Sequence, residues 1–156
     1  LEEEYKSGEY VPLTINQAIE RSKEVVKMFQ RKNIQVIRIG LQNTNTIDDP
    51  SKKESEVIAG PYHPAFRQLV ESSMWYDAII EKIKKFNAKV KEVEIRANSA
   101  NINNIIGHKK DNINKLKQAA LKGIRLIQIF SDEWLNHPEI VKSKLKNILF
   151  IIDKYI

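Results

Sequence analysis

Two groups of residues have types and spacing that could hold a charged ligand, and a third could hold a metal. The first is Gly107-His108-Lys109-Lys110-Asp111-Asn112-Ile113-Asn114-Lys115. A glycine here lets the backbone turn tightly and approach phosphates. Lys109, Lys110 and Lys115 supply positive charge beside it, and Asn112 a polar contact. The same string also reads as a plain helical hairpin, with Ile105, Ile106, Ile113 and Leu116 as its core. The second group is His63 and Arg67, one turn apart beside the start of a helix. Backbone N–H groups at that end could face an anion, so a phosphate or substrate contact is one reading. The other is that His63 caps the helix and Arg67 pairs with a carboxylate. The third is Asp132-Glu133, which could be imagined as metal ligands. Adjacent carboxylates at a helix start more commonly serve the helix dipole. No metal site and no catalytic residue is assigned. His63, His108 and His137 have no ligand spacing, and there is neither a Gly-rich phosphate loop nor a nucleophile elbow.

The elements that must position these residues follow from hydrophobic period. Residues 1–12, polar with Gly8 and Pro12, read as an extended lead-in. Thr14 is placed to cap a helix running to about Lys32, with Ile15, Ala18, Ile19, Ser22, Val26 and Phe29 on one face. Ile34–Gln42 reads as a buried strand, because Val36, Ile37, Ile39 and Leu41 are apolar on both faces. Asn43–Glu56 reads as a long loop. Pro64–Phe86 returns to helical period, and Lys89–Ala97 alternates like a half-buried strand. Asn98–Gly123 reads as two short helices around Gly107, Ile124–Phe130 as a third strand, and Pro138 to about Tyr155 as a last helix. The fold class expected is α/β or α+β, a three- to four-stranded sheet packed by helices. A boundary is expected near residue 86, with residues 1–86 and 87–156 sharing one core.

Charge divides the chain unevenly. Through Glu81 there are 10 Lys/Arg against 13 Asp/Glu; beyond it there are 16 against 7. The C-terminal stretch is therefore a candidate polyanion surface, or else a set of solvated Lys-rich helices. The absence of cysteine excludes a disulfide framework and a cysteine-held iron–sulfur cluster within these 156 residues. It also fits a cytoplasmic protein. No apolar run approaches the ~18–20 residues of a membrane span. A first residue of Leu1 rather than Met reads as a piece of something longer. Met74-Trp75-Tyr76, the densest aromatic patch, reads as a surface left for a missing partner domain or for a homodimer.

Two strings are too particular for composition to explain. Ile37-Arg38-Ile39-Gly40-Leu41-Gln42 and Ala59-Gly60-Pro61-Tyr62-His63-Pro64-Ala65-Phe66-Arg67 resemble the segment that follows the barrel in radical-SAM proteins of the bacterial elongator-like type. With a weaker continuation the resemblance spans about residues 10–117. It implies a C-terminal accessory domain of a tRNA-modifying type of protein. The parent's catalytic barrel would use S-adenosylmethionine and a 4Fe-4S cluster on a three-cysteine motif that this chain lacks. Ile105-Ile106-Gly107-His108-Lys109-Lys110, with Val93-Glu94-Ile95 before it and Ile124–Ile129 after it, resembles the helix-loop-helix of KH domains. That resemblance implies an RNA grip and a KH-like C-terminal half, although Lys110 stands where such loops carry a second glycine. Residues 122–149, through Ser131-Asp132-Glu133-Trp134, resemble the tail of very-short-patch-repair-type homing endonucleases. The leading expectation is thus a non-catalytic domain that contacts RNA, with tRNA the expected partner. The alternatives are a DNA endonuclease fragment, a structural or dimerisation module, or a tail from a coproporphyrinogen-oxidase-like radical-SAM parent.

Overall fold

The computed structural model describes residues 1–41, 57–85, 92–97, 99–120, 125–131 and 148–152. The chain divides into two compact units, Leu1–Val70 and Glu71–Ile156. The division falls inside a helix, upstream of residue 86.

In the first unit the lead-in is not extended. Glu2–Ser7 forms a short helix, α1, closed by Gly8 in the left-handed conformation with its N–H on the Tyr5 carbonyl. Three glutamates in its first turn and Lys6 in its last suit the helix dipole. Helix α2 spans Ile15–Arg31. Its start is a reciprocal capping box: the Gln17 N–H donates to Thr14 Oγ1, and the Thr14 N–H to Gln17 Oε1 at 2.8 Å. The buried face centres on Ala18 and Val26. It also takes in Lys23, whose Nζ reaches the Glu20 carboxylate at 2.8 Å. Helix α3, Phe66–Lys85, begins in this unit and continues into the second.

In the second unit α3 contributes Trp75 and Ile79 to a core completed by Ile95, Ala97, Ile105 and Leu116. Strand β1 (Glu92–Ala97) supplies Ile95 and Ala97, which share one face at the strand period of two. Helices α4 (Ser99–Ile106) and α5 (Asp111–Ala120) supply Ile105 and Leu116. Strands β2 (Arg125–Ser131) and β3 (Ile148–Ile152) flank β1, both parallel to it, in the order β2-β1-β3.

The fold class expected from the sequence is corrected. The described residues are predominantly helical, and no strand occurs among those of the first unit. The predicted sheet member Ile34–Gln42 is not a strand over its described residues, 34–41. Residues 34–41 are irregular, Gly40 breaks them with a φ of 86°, and Ile37 is 84% exposed. Apolar residues in both phases signalled burial, but among the described residues no strand pairs with them. At the other end, Ile148–Ile152 is a strand where a helix was predicted. An unbroken apolar run satisfies either period, so pattern alone could not choose. Helices α4 and α5 share their core with α3 and β1, and the structure does not itself show a KH-like half. Met74 and Trp75 are buried and do not form the exposed patch expected of them. The expected Asn43–Glu56 loop, the Asp132-Glu133-Trp134 turn, His137 and the start of the last helix at Pro138 lie outside the described residues.

Ile79 is fully buried, so Ile79→Ala should cost about 2–5 kcal/mol and lower the urea midpoint. Val25→Ala, at an exposed position of α2, should stay within about 0.5 kcal/mol in the same titration.

Candidate nucleic-acid interface

The turn between α4 and α5 is built around a glycine that no other residue could replace without movement. The Gly107 N–H closes the end of α4 on the Asn103 carbonyl at 3.0 Å. Gly107 then takes φ 82° and ψ 159°. A Cβ there would lie 2.9 Å from the Asn112 backbone nitrogen and 3.0 Å from its Cγ. Both the dihedral and the close approach therefore require glycine. His108–Lys110 follow as one 3-10 turn, with the Lys110 N–H on the Gly107 carbonyl at 3.0 Å.

Lys109 and Lys110 both have left-handed backbone, with φ of 51° and 64°. For a residue with a side chain that costs roughly 1–2 kcal/mol each. Both are exposed, and they form the tip of the turn. Lys115 sits one turn into α5. Its Nζ is 2.6 Å from the Asp111 carboxylate and 5.9 Å from the centre of the Tyr76 ring. Asp111 thus answers the charge of Lys115 and leaves the two tip lysines as the forward positive charge. His108 is half-buried.

Asn112 is placed under this turn and not on its surface. It is 2% exposed, and its amide donates to the Ser72 carbonyl at 2.7 Å and to the Asn104 and Ile105 carbonyls at 3.2 Å each. Asn104 in turn donates to the Glu71 carboxylate at 2.8 Å. Of the six residues expected to touch nucleic acid, Lys109, Lys110 and Lys115 are exposed, while Gly107 and Asn112 shape the turn from below. The ties to Ser72 and Glu71 were not readable, because both partners lie more than 30 residues upstream.

His63 and Arg67 belong to the first unit and are held in structural contacts. His63 Nδ1 accepts the Ala65 N–H at 3.0 Å, so the ring caps the entry to α3. Arg67 Nη1 donates to the Ile37 carbonyl at 2.9 Å, a backbone oxygen that sequence reading did not foresee. A cavity of about 320 Å³ in this unit is lined in part by Arg21, Ser22, Tyr62 and His63. Arg21 and Ser22 escaped sequence reading because they reach it from α2, some forty residues before Tyr62.

Comparison with known families reaches the first unit and the start of the second. Residues 1–76 match the family model of the Radical_SAM C-terminal domain. The match supports an accessory, C-terminal domain of a radical-SAM protein for this stretch. It covers just under half of the 156 residues and ends before the Gly107–Lys115 turn. No curated protein and no solved structure matches the chain. The cluster that radical-SAM chemistry implies does not fit these residues, since the chain has no thiolate to ligate it. Among the described residues no His, Asp or Glu group is arranged to hold a metal, and no helix is long and apolar enough to cross a membrane.

The turn makes opposite predictions for neighbouring positions. Lys110→Gly relieves a left-handed side chain and should raise stability by about 1 kcal/mol. Asn112→Ala strips three buried carbonyls of their donor and should lower it by about 1–3 kcal/mol. Thermal melts of the two variants against the parent chain check both signs.

Proposed function

We propose that this chain is a non-catalytic accessory domain of a radical-SAM protein of the elongator-like type, and that it holds RNA, of the tRNA class, through the Gly107–Lys115 turn. The observation that carries the reading is the pair Lys109-Lys110. Two exposed lysines stand at the tip of a left-handed turn anchored from beneath by Asn112. They lie in the stretch of the chain that carries a large excess of Lys/Arg over Asp/Glu. Ammonium groups on a fixed turn neutralise backbone phosphates and release their counterions. Lys115, steadied by Asp111 and the Tyr76 ring, extends the same positive surface along α5. The contact breaks no bond. It positions RNA for a catalytic domain whose own cysteine motif would hold the 4Fe-4S cluster and S-adenosylmethionine. The radical-SAM family match of residues 1–76 supports the accessory role, and the basic turn supports the RNA partner.

Labelled tRNA titrated at about 50 mM and 200 mM salt tests this reading. Binding should weaken steeply as salt rises, and Lys109→Glu/Lys110→Glu should flatten the log–log slope by about 1.5, from ~0.7–0.9 per phosphate contact. Absence of binding at low salt, or a charge-reversed protein that binds like the parent chain, would rule it out.

A further inference from the structure

We propose that the cavity of the first unit is a binding site for a small organic monocarboxylate, with an apolar or aromatic body against Phe66 and its carboxylate on Arg21. The cavity measures about 320 Å³, the size at which pockets begin to take small molecules. One wall is helix α2, where Ala18, Arg21 and Ser22 fall at i, i+3 and i+4 and so share a face. Another is the Pro61–His63 turn together with Phe66, the first residue of α3. Fixed contacts hold these walls. Gly40 takes φ 86° and packs so closely on the Phe66 ring that a Cβ there would lie 2.8 Å from it. The bond from Arg67 to the Ile37 carbonyl ties the approach to Gly40 onto α3. His63 is held twice: Nδ1 accepts the Ala65 N–H, and its carbonyl accepts the Phe66 N–H, both at 3.0 Å. The site is built before a ligand arrives.

Charge selects the ligand. Among the described residues that line the cavity none is acidic, and Arg21 carries the one permanent charge. Helix α2 leaves that charge unanswered. Its carboxylates are taken by lysines, Glu20 by Lys23 at 2.8 Å and Glu24 by Lys27 at 3.1 Å. Among the described residues no ion pair reaches Arg21. Ser22 adds a hydroxyl beside it. The His63 ring accepts at Nδ1, so the proton of its neutral form is on Nε2, a donor. A guanidinium meets a carboxylate through two parallel N–H···O bonds, one charge for one charge. A phosphate dianion would keep half its charge unmatched here. The remaining wall, with Leu13, Leu41, Pro61 and Phe66, is apolar and favours a ligand with an apolar body. The site lies within the first unit, whereas the Gly107–Lys115 turn belongs to the second, and the inference does not rest on RNA binding.

Phenylacetate, 2-phenylethanol and phenyl phosphate, each titrated into the full chain and followed by amide NMR, test the site. Phenylacetate should saturate with a Kd at or below about 1 mM and move the amides of Ala18–Ser22 and Tyr62–Phe66. 2-Phenylethanol, the uncharged counterpart, should bind at least about tenfold more weakly. Arg21→Gln should weaken phenylacetate at least about tenfold and leave 2-phenylethanol unchanged. Arg21 is exposed, so the substitution keeps the fold, and an unchanged amide spectrum away from the cavity shows it. Arg21→Lys keeps the charge without the fork and should fall between the two. Absence of saturation at about 10 mM phenylacetate overturns the inference, as do shifts confined to other residues or an Arg21→Gln chain that binds like the parent. Equal binding of 2-phenylethanol overturns it in favour of a purely apolar site, and tighter binding of phenyl phosphate in favour of a phosphate site.

Discussion

The side-chain amide of Asn112 bears on three helices at once. A helix leaves its last carbonyls without intrahelical partners, and a buried end must find other donors for them. Helix α4 ends under cover because Asn112, reaching back from the start of α5, donates to the carbonyls of Asn104 and Ile105. The same amide donates to Ser72 on α3, 40 residues away in sequence. Two N–H groups thus serve three acceptors, and a buried polar side chain becomes a rivet. The glycine follows from the rivet. With Asn112 packed 3 Å beneath the turn, residue 107 has no room for a Cβ. The path of the turn follows from the glycine, and the exposure of Lys109 and Lys110 from the path.

That dependence explains why a turn would tolerate two left-handed lysines in succession. Neither gains from the dihedral itself, and glycine or asparagine would adopt it at less cost. Surrounding structure holds them there: the end of α4 is pinned on one side and the start of α5 on the other. Strain kept at an exposed tip, and kept in residues that carry charge, is the pattern expected where the side chains have a use beyond the fold. Asp111 sharpens the arrangement. It stabilises the start of α5 through the dipole and draws in Lys115, so the outward charge is concentrated at the tip.

Local signals carried what was legible in the sequence. Thr14 and Gln17 stand three residues apart and mark the start of α2, because a capping box is a contact between near neighbours. The spacing of Val70 and Ile79 marks α3, and Gly107 marks the turn. What was not legible rests on partners distant in sequence. Asn112 looked like a surface residue because nothing near it discloses Ser72. Ile34–Gln42 looked like a buried strand because its residues would suit one, yet a strand needs a neighbour that sequence period cannot supply. Ile148–Ile152 was ambiguous for the opposite reason: five apolar residues fit a helix face or a strand equally, and the choice was made by β1 alongside. At the candidate site the lysines were readable as charge, but their left-handed backbone was not, since it comes from the packing beneath them.

Arg67 shows how a residue can be informative without being a ligand contact. Its guanidinium ties the Ile37 carbonyl to α3, so an apolar segment that lacks a sheet still has a fixed edge.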